Sequence, residues 1–369
     1  MDQNRLSLLA LHFIPGLGDY LIRQLVSYCG SAERIFNIPK GKLLKIPGIG
    51  DVTANAIRRG EPFRKAEEEI LLAEKNEVQL VFYVDKHYPS RLKQINDAPT
   101  LLYVKGHINF ENPKTVGIVG TRKATEYGKR CVDELVEGLV PHDACIISGL
   151  AYGIDIHAHR QAVRHKLETI GVMGSGIDVI YPSVHRETVK KMYDHGGLVT
   201  EHPFGTNPDA HNFPARNRIV AGLCDAVIIV EAASKGGALI TADIANSYNK
   251  DVFAYPGNID QTSSEGCNHL IKTNKAFLIT SVRDLEYLMN WNAAGPPPVK
   301  KSTLDLSAFS DDEKSVVLTL AENKNQLMID ELSWKTGLSI GELATVLLNL
   351  ELKGAITSLP GKVYKLRKE

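Results

Sequence analysis

The chain has 369 residues, which is long enough for two or three domains with a full-sized core. Its 43 basic and 43 acidic residues balance, so no global field attracts polyanions and any nucleic-acid site must be a local patch. The five scattered cysteines contain no Cys-x-x-Cys pair, which excludes a disulfide framework and a cysteine zinc site. No apolar run reaches the roughly 18 residues of a membrane span, and the start lacks a signal-peptide pattern. We therefore expect a cytoplasmic protein without membrane contact.

The first 60 residues have helical spacing interrupted by two similar turns, at residues 14–18 and 46–50. Pro15 and Pro47 are 32 positions apart, which indicates an internal duplication of a short helical unit. Each turn resembles the hairpin of a helix-hairpin-helix motif, in which glycines let backbone N–H groups meet a phosphate. The segment holds eight Lys and Arg residues and four acids, which supports this weakly. The alternative is a helical domain that uses the same turns for packing alone.

From residue 63 to 290, short Val- and Ile-rich runs alternate with helical stretches, which predicts a parallel sheet with crossover helices. The predicted strands are residues 78–84, 115–119, 144–147, 169–173, 197–200, 226–230, 251–254 and 276–279. The predicted fold is an extended Rossmann-like, doubly wound α/β domain at 63–290, after a helical domain at 1–62. A Pro-rich linker at 291–304 leads to a winged-helix-like domain at 305–369.

The last 65 residues predict two or three helices followed by a hairpin that turns at Pro360-Gly361. The second-helix candidate, residues 339–353, contains Glu342, Glu351 and one Lys, and the domain carries eight basic and ten acidic residues. A helix that reads a DNA groove should be richer in Lys and Arg. The pattern therefore favours a protein-contact or structural role over a transcription regulator.

Ligands of such sheets bind outside the carboxyl ends of the strands, so the loops there are the candidate site. The glycines around Gly120, Thr121 and Arg122 do not form a dinucleotide fingerprint, and no P-loop is present. We therefore expect an anion site of backbone N–H groups and one guanidinium, with no NAD or other cofactor. Two more loops offer phosphate-type donors. They contain Ser148 and Gly149, which leave room for a sugar–phosphate strand, and Lys235, Gly236 and Gly237, which precede a helix.

Residues 211–218, His-Asn-Phe-Pro-Ala-Arg-Asn-Arg, combine an aromatic ring with two guanidinium groups. A guanidinium forms a fork for phosphate and a Phe face can stack an unpaired base, so Phe213, Arg216, Asn217 and Arg218 predict a single-stranded nucleic-acid site. The alternative is a surface turn with a buried Phe213 and arginines in salt bridges.

The acidic and histidine side chains of these loops have a plainer interpretation than catalysis or metal binding. Asp155 is expected to cap a helix start and His159 to pack beneath the loop, while His157 points away from both. The carboxylates of Asp178, Glu201 and Glu231 are expected to brace loops by hydrogen bonds. No catalytic residues and no metal ligands are predicted.

The order of motifs resembles the bacterial DNA-processing protein A (DprA, also called Smf) family. The motifs are Tyr88-Pro89 with Asp97-x-Pro99, Gly120-Thr-Arg122 with Tyr127-Gly128, Ser148-Gly149 with Gly153-Ile-Asp155 and Ala158-His159, Gly176-x-Asp178 with Tyr181-Pro182, Phe213-Pro-x-Arg-Asn-Arg218 with Gly222-Leu223, Val230-Glu-Ala232 with Thr241-Ala242, Pro256-Gly257, and Gly266-x-Asn268-x-Leu270-Ile271.

The resemblance implies a homodimer, not an enzyme, that binds incoming single-stranded DNA, protects it from nucleases and loads RecA onto it during natural transformation. It implies that Arg122 and its Gly-Thr turn hold phosphate, that residues 213–218 line the strand, and that Lys235 adds a phosphate contact. The alternative, from another functional class, is a nucleoside monophosphate hydrolase. Such enzymes carry a Gly-Gly-x-Gly-Thr-x-x-Glu loop, and residues 236–243 match it poorly, with Asp243 at the position of the acid.

Overall fold

The chain forms two compact units, Met1–Ala293 and Ala294–Glu369. The structure, a computed structural model, describes residues 2–59, 61–291, 309–323 and 326–366. The predicted linker at 291–304 lies outside the described residues, apart from residue 291.

The first unit begins with helices that form two similar hairpins. These helices are α1 (Gln3–His12), α2 (Asp19–Cys29), α3 (Ala32–Asn37), α4 (Lys40–Leu43), α5 (Asp51–Ile57) and α6 (Glu61–Lys75). The first hairpin, residues 14–18, joins α1 to α2, and the second hairpin, residues 46–50, precedes α5. Gly16 and Gly48 have φ angles of 78° and 82°, the left-handed region that favours glycine. Because both turns share this geometry, the predicted duplication is present in the structure.

The sheet of the first unit has nine strands, and most of them are parallel. The strands are β1 (Gln79–Phe82), β2 (Leu101–Gly106), β3 (Thr115–Val119), β4 (Cys145–Ser148), β5 (Thr169–Val172), β6 (Gly196–Thr200), β7 (Ala226–Ile229), β8 (Asp251–Ala254) and β9 (Phe277–Leu278). Their order is β1-β2-β6-β5-β4-β3-β7-β8-β9. The last seven strands in this order are parallel to one another. At one edge of the sheet, β2 pairs antiparallel with both β6 and β1. Eight of these strands were predicted, whereas β2 was not.

Helices cover both faces of this sheet, as a doubly wound fold requires. They are α7 (Glu126–Leu139), α8 (Ile154–Arg164), α9 (Arg186–Met192), α10 (Asn212–Leu223), α11 (Gly237–Ser247), α12 (Glu265–Lys272) and α13 (Val282–Leu288). Consecutive residues of β3 point to opposite faces of the sheet. Ile118 packs with α7 and α8 on one face, whereas Val119 packs with α10 and α11 on the other. The fold class is therefore confirmed, with the antiparallel edge as an addition.

The N-terminal helices share a hydrophobic core with the sheet. Leu9 and Leu25 belong to the same buried cluster as Phe82 and Tyr103 of β1 and β2. Helix α6 runs across the predicted boundary at residue 62, so the helical segment and the sheet belong to one compact unit. The antiparallel β1–β2 pair provides the apolar surface on which these helices pack.

A polar contact also fixes the first hairpin against the sheet. Asp19, the first residue of α2, accepts hydrogen bonds from the backbone N–H of Thr100 at 2.7 Å and from its hydroxyl at 2.6 Å. Asp51 occupies the same place after the second hairpin and pairs instead with Lys40 at 2.7 Å. The helix that follows the first hairpin is thus fixed to the sheet, whereas the space beside Gly16 and Gly18 of the hairpin itself is open.

The second unit contains α14 (Asp311–Glu322), β10 (Gln326–Met328), α15 (Ile329–Thr336), α16 (Ile340–Leu352), β11 (Ile356–Leu359) and β12 (Val363–Leu366). Its three strands form a sheet in the order β10-β12-β11. The hairpin at Pro360-Gly361 is present, and the winged-helix fold is confirmed. Among the described residues of this unit, the predicted second helix is the third, α16, because the short α15 precedes it. Every helix of the described residues is too short or too polar to cross a membrane.

Candidate nucleic-acid interface

A wide cleft opens where the order of the parallel strands reverses. Strand β3 has β4 on one side and β7 on the other, and the chain winds outward in both directions from this point. Loops diverge there and leave a crevice at the carboxyl edge of the sheet. The cleft has a volume of about 1390 Å³ and is lined by the loops after β3, β4 and β7 together with the start of α10.

Two exposed cations lie in the walls of the cleft. Arg122 follows β3 and Lys235 follows β7, and the side chains of both are exposed. Among the described residues, no carboxylate forms an ion pair with either cation. Both charges are therefore available to a ligand, as an anion site requires.

Aromatic rings lie beside these cations. The ring of Phe213 is half-buried, and the guanidinium carbon of Arg122 lies 5.9 Å from its centroid. Tyr181, whose side chain is 50% exposed, also lines the cleft, with its ring centroid 5.8 Å from that of Phe213. Tyr181 was recognised only as part of a motif. Its place in a loop after β5 is the signal that could have identified it as a site residue.

The start of α11 contributes open backbone to the cleft. No side chain caps this helix at Gly236, and a Cβ at that position would meet nothing within 4 Å. At Gly237 the nearest atom to such a Cβ would be Nδ2 of Asn217, at 3.9 Å. The uncapped N–H groups of a helix start carry partial positive charge and favour an anion. These two glycines therefore keep a polar surface accessible.

Arg216 forms the floor of the cleft and is not a free cation. Its side chain is buried, and its guanidinium donates to the backbone carbonyls of Gly149 and Val172. A Cβ at position 149 would lie 2.5 Å from the guanidinium carbon, so glycine is required there to make room for Arg216. The interpretation that Gly149 leaves space for a sugar–phosphate strand is corrected, because a protein side chain occupies that space.

Other predicted residues of the strand-end loops act mainly within the protein. The hydroxyl of Ser148 is fully buried and donates to the carbonyl of Ile118 at 2.6 Å, so Ser148 lies outside the cleft. Gly120 packs so closely that a Cβ would be 2.6 Å from Cγ1 of Ile154. Thr121 lies in the cleft wall, where its backbone N–H is bonded to the carbonyl of Glu231 at 2.8 Å. Its hydroxyl oxygen accepts from the backbone N–H of Lys123 at 3.2 Å, which leaves the hydroxyl proton to donate to a ligand.

The two last residues of the predicted segment face different ways. Asn217 lines the cleft and donates from Nδ2 to the carbonyl of Gly237 at 3.3 Å, which holds α10 against the start of α11. Arg218 does not line the cleft. Its guanidinium pairs with Glu201 after β6 and lies 3.6 Å from the carboxylate of Asp19. The predicted contact of Arg218 with a bound strand is therefore corrected to an internal ion pair.

The acidic side chains brace loops, as the sequence predicted. Asp178 accepts from the backbone N–H of Gly205 at 3.0 Å, and Glu231 accepts from the hydroxyl of Thr125 at 2.6 Å. Burial raises the pKa of Glu201 to about 7, although Arg218 beside it acts in the opposite direction. These carboxylates each serve a separate structural bond.

The Asp-His-His sequence after β4 does not converge on one point. Asp155 is buried and accepts from the backbone N–H of Ala151 at 3.4 Å. His157 pairs with Asp133 at 2.7 Å, whereas Nδ1 of His159 lies 2.7 Å from the hydroxyl of Thr169. Each side chain has its own partner, and His159 packs beneath the loop as predicted. The predicted cap is wrong, because Gly153 is the N-cap of α8 without a side-chain cap bond, and Asp155 instead holds the loop before the helix. Asp243 lines the cleft, where Lys275 binds its carboxylate at 2.8 Å.

We expect the buried histidines to lower the free energy of unfolding as the pH drops below about 6.5, whereas Glu201, whose pKa burial raises, contributes in the opposite direction. Burial lowers the pKa of His159 to about 3, and burial also lowers the pKa of His12, His185 and His202. Below pH 6.5 the unfolded chain therefore binds protons that the folded chain excludes. Each such histidine contributes a loss of up to about 1.4 kcal/mol per pH unit. Urea unfolding at several pH values measures this slope.

The variant His159→Asn isolates one of these contributions. Its amide can still donate to the hydroxyl of Thr169 but does not titrate, so the slope below pH 6.5 should become shallower. An unchanged slope in this variant would show that His159 takes up its proton in the folded state.

Comparisons with known proteins agree with this architecture. A family model described as DNA recombination-mediator protein A matches residues 79–290, and a model described as the DprA winged helix domain matches residues 296–362. The chain is 31% identical to protein Smf of Synechocystis sp. over 398 residues, covering 97% of this chain and 98% of that protein. It is 41% identical to DNA processing protein DprA of Streptococcus pneumoniae over 206 residues, covering 55% of this chain and 71% of that protein.

Solved structures show the same relationship. The X-ray structure of DprA from Streptococcus pneumoniae superposes with a TM-score of 0.67 at 32% identity, covering 78% of this chain and 98% of that chain. A structure of DNA processing protein A from Helicobacter pylori, which describes the single-stranded DNA binding mode of that protein, gives a TM-score of 0.53 at 29% identity, covering 58% of this chain and 97% of that chain. With the fold and both family models in agreement, this chain belongs to the DNA recombination-mediator protein A (DprA/Smf) family.

Proposed function

We propose that the cleft binds single-stranded DNA and that the chain acts as a recombination mediator on it, without turnover. The proposal rests on one observation, that two cations without ion-pair partners and two accessible aromatic rings lie in the same cleft. Arg122 and Lys235 suit backbone phosphates, and Phe213 and Tyr181 suit exposed bases. The relative from Helicobacter pylori binds single-stranded DNA, which supports the same ligand here.

The aromatic rings favour a single strand over a duplex. A base can stack on a side chain only when its face is free, and a duplex covers both faces with neighbouring base pairs. The open α11 start, with its uncapped N–H groups at Gly236 and Gly237, adds a place for a phosphate in the same cleft. The sequence independence of these donors suits a protein that must accept any incoming strand.

The further roles follow from family membership and remain part of the proposal. The family model that matches the chain describes a DNA recombination mediator. In that role the protein would protect the strand from nucleases and load RecA onto it during natural transformation, as a homodimer in the cytoplasm. The hydrolase alternative gains nothing from the geometry, because the carboxylate of Asp243 is bound by Lys275.

We expect the protein to shift single-stranded oligonucleotides much more strongly than the matching duplex in a mobility assay. Affinity should fall steeply between about 50 and about 200 mM salt, because bound phosphates release counterions. Arg122→Ala and Lys235→Ala should each weaken binding and reduce the slope of log affinity against log salt by about 0.7. Equal affinity for single and double strands, or no dependence on salt, would refute the proposal.

Matched controls lie at the opposite edge of the sheet. Arg164 is exposed in the last turn of α8, and Lys272 is exposed at the end of α12. Arg164→Ala and Lys272→Ala remove the same charges from a surface away from the cleft. Both variants should bind single strands with unchanged affinity and an unchanged salt slope.

A further inference from the structure

Helix α10 is held from two opposite sides. Phe213, Arg216, Asn217 and Val220 line the cleft, at the spacing i, i+3, i+4 and i+7 that places side chains on one helix face. Arg218 follows Arg216 by two positions, about 200° around the helix, and therefore points away from the cleft. The same helix thus presents an aromatic ring to a ligand and an anchored guanidinium to the other side.

The anchor connects α10 to the first hairpin. The guanidinium of Arg218 is bonded to Glu201 and lies 3.6 Å from the carboxylate of Asp19, and the side chains of all three are largely buried. Asp19 in turn accepts two hydrogen bonds from Thr100 in the loop before β2. A chain of short polar contacts therefore links the start of α2, the end of β6 and the middle of α10.

The ion pair of Arg218 differs from the other ion pair between the N-terminal helices and the sheet, because it includes a residue of α10, the helix that lines the cleft. Another pair, Arg5 with Asp85 at 2.6 Å, also ties the N-terminal helices to the sheet. Arg5 contacts the loop after β1 and the carbonyl of Leu80, both distant in sequence from α10. Two ion pairs thus dock the same helices, and one of them also fixes α10.

We propose that Arg218 is a positioning residue, through which docking of the first hairpin orients Phe213 for stacking with a base. The inference rests on the proposed function and assigns the N-terminal helices a part in it that needs no contact with DNA. When the anchor is lost, α10 keeps its cleft-facing bonds through Arg216 and Asn217 but can tilt about them. Phe213, in the first turn of the helix, is displaced by such a tilt.

The test uses the full chain and an oligonucleotide that carries 2-aminopurine, a base whose fluorescence is quenched by stacking. Arg218→Met should weaken single-strand binding by about tenfold and reduce the change in fluorescence on binding. The salt slope should stay at the wild-type value, because no phosphate contact is removed. Arg218→Lys should recover part of the affinity, since it restores a charge near Glu201 and Asp19. Asp19→Asn should show a weaker form of the same defect, because its oxygen can still accept from Thr100.

Arg5→Met is the matched control, because it removes the other ion pair of the junction. It should lower the stability of the N-terminal helices without changing the fluorescence signal of bound 2-aminopurine. If Arg5→Met and Arg218→Met change affinity and fluorescence equally, Arg218 is only a general structural contact and the proposal is overturned. A wild-type signal in Arg218→Met overturns it as well. Failure of the proposed function would be seen separately, as unchanged single-strand affinity in Arg122→Ala.

Discussion

Phe213→Ala is expected to weaken single-stranded DNA binding by about 1–3 kcal/mol, the contribution of one base stacked on an aromatic ring. This corresponds to about a 5- to 150-fold higher Kd. The salt slope should not change, because Phe213 carries no charge, and this separates the variant from Arg122→Ala. Fluorescence anisotropy of a labelled oligonucleotide at several salt concentrations measures both quantities.

Two comparisons sharpen this prediction. Phe213→Tyr keeps the ring and should bind within a few-fold of wild type, whereas Tyr28→Ala removes an exposed ring from α2, outside the cleft, and should have no effect. Wild-type affinity in Phe213→Ala would show that the ring is only a packing residue, the alternative that the sequence left open.

The double variant of Phe213 and Tyr181 shows whether the cleft holds one base or two. If each ring stacks its own base, the losses from Phe213→Ala and Tyr181→Ala add. If Tyr181 only supports the ring of Phe213, the double variant binds as weakly as Phe213→Ala alone. The 5.8 Å distance between the two centroids allows either arrangement, so the additivity decides.

Much of the fold could be predicted because its signals are local. Buried parallel strands are continuous apolar runs, and β3 and β8 begin and end where the sequence predicts. Strand β2 was missed although Leu101–Gly106 also begins with an apolar run. That strand pairs antiparallel with β1 and β6, so it lies outside the regular alternation of strand and helix on which the prediction depended.

The cleft could be predicted only in part, because side-chain direction depends on tertiary contacts. Arg122 and Lys235 occupy loops at the carboxyl ends of β3 and β7, and topology alone brings them together. Helical periodicity within residues 212–223 could have separated Arg216 from Arg218, since two positions along a helix reverse the direction of a side chain. The ion pair between Arg218 and Asp19 spans almost 200 positions of the sequence, and no local pattern indicates it.

The glycines show the same limit of prediction from sequence. A turn such as Ser148-Gly149 predicts close approach of the backbone to another group, but not which group approaches. At Gly149 the neighbour is the guanidinium of Arg216, whereas at Gly236 the space is open. Glycines that admit a ligand and glycines that admit a protein side chain have the same sequence signal, and only the packing distinguishes them.

Arg216→Met is expected to lower the free energy of unfolding by about 3–5 kcal/mol, the usual cost of leaving a neighbouring buried charge uncompensated. The substitution leaves the carbonyls of Gly149 and Val172 without their donor and removes the charge that faces the buried carboxylate of Asp155. Urea unfolding monitored by circular dichroism measures the loss. Arg164→Met, at an exposed site, should stay within about 0.5 kcal/mol of wild type.

The double variant Arg216→Met/Asp155→Asn identifies the cause of that loss. Burial already raises the pKa of Asp155 in the wild-type protein, and Arg216 is the charge that opposes this effect. Without Arg216 the carboxylate is a buried charge with no counterion, so neutralising it should restore part of the lost stability, and the double variant should be more stable than Arg216→Met alone. A change of less than about 1 kcal/mol in Arg216→Met would contradict a structural role. Arg216 would then be free to contact the ligand, as the sequence first predicted.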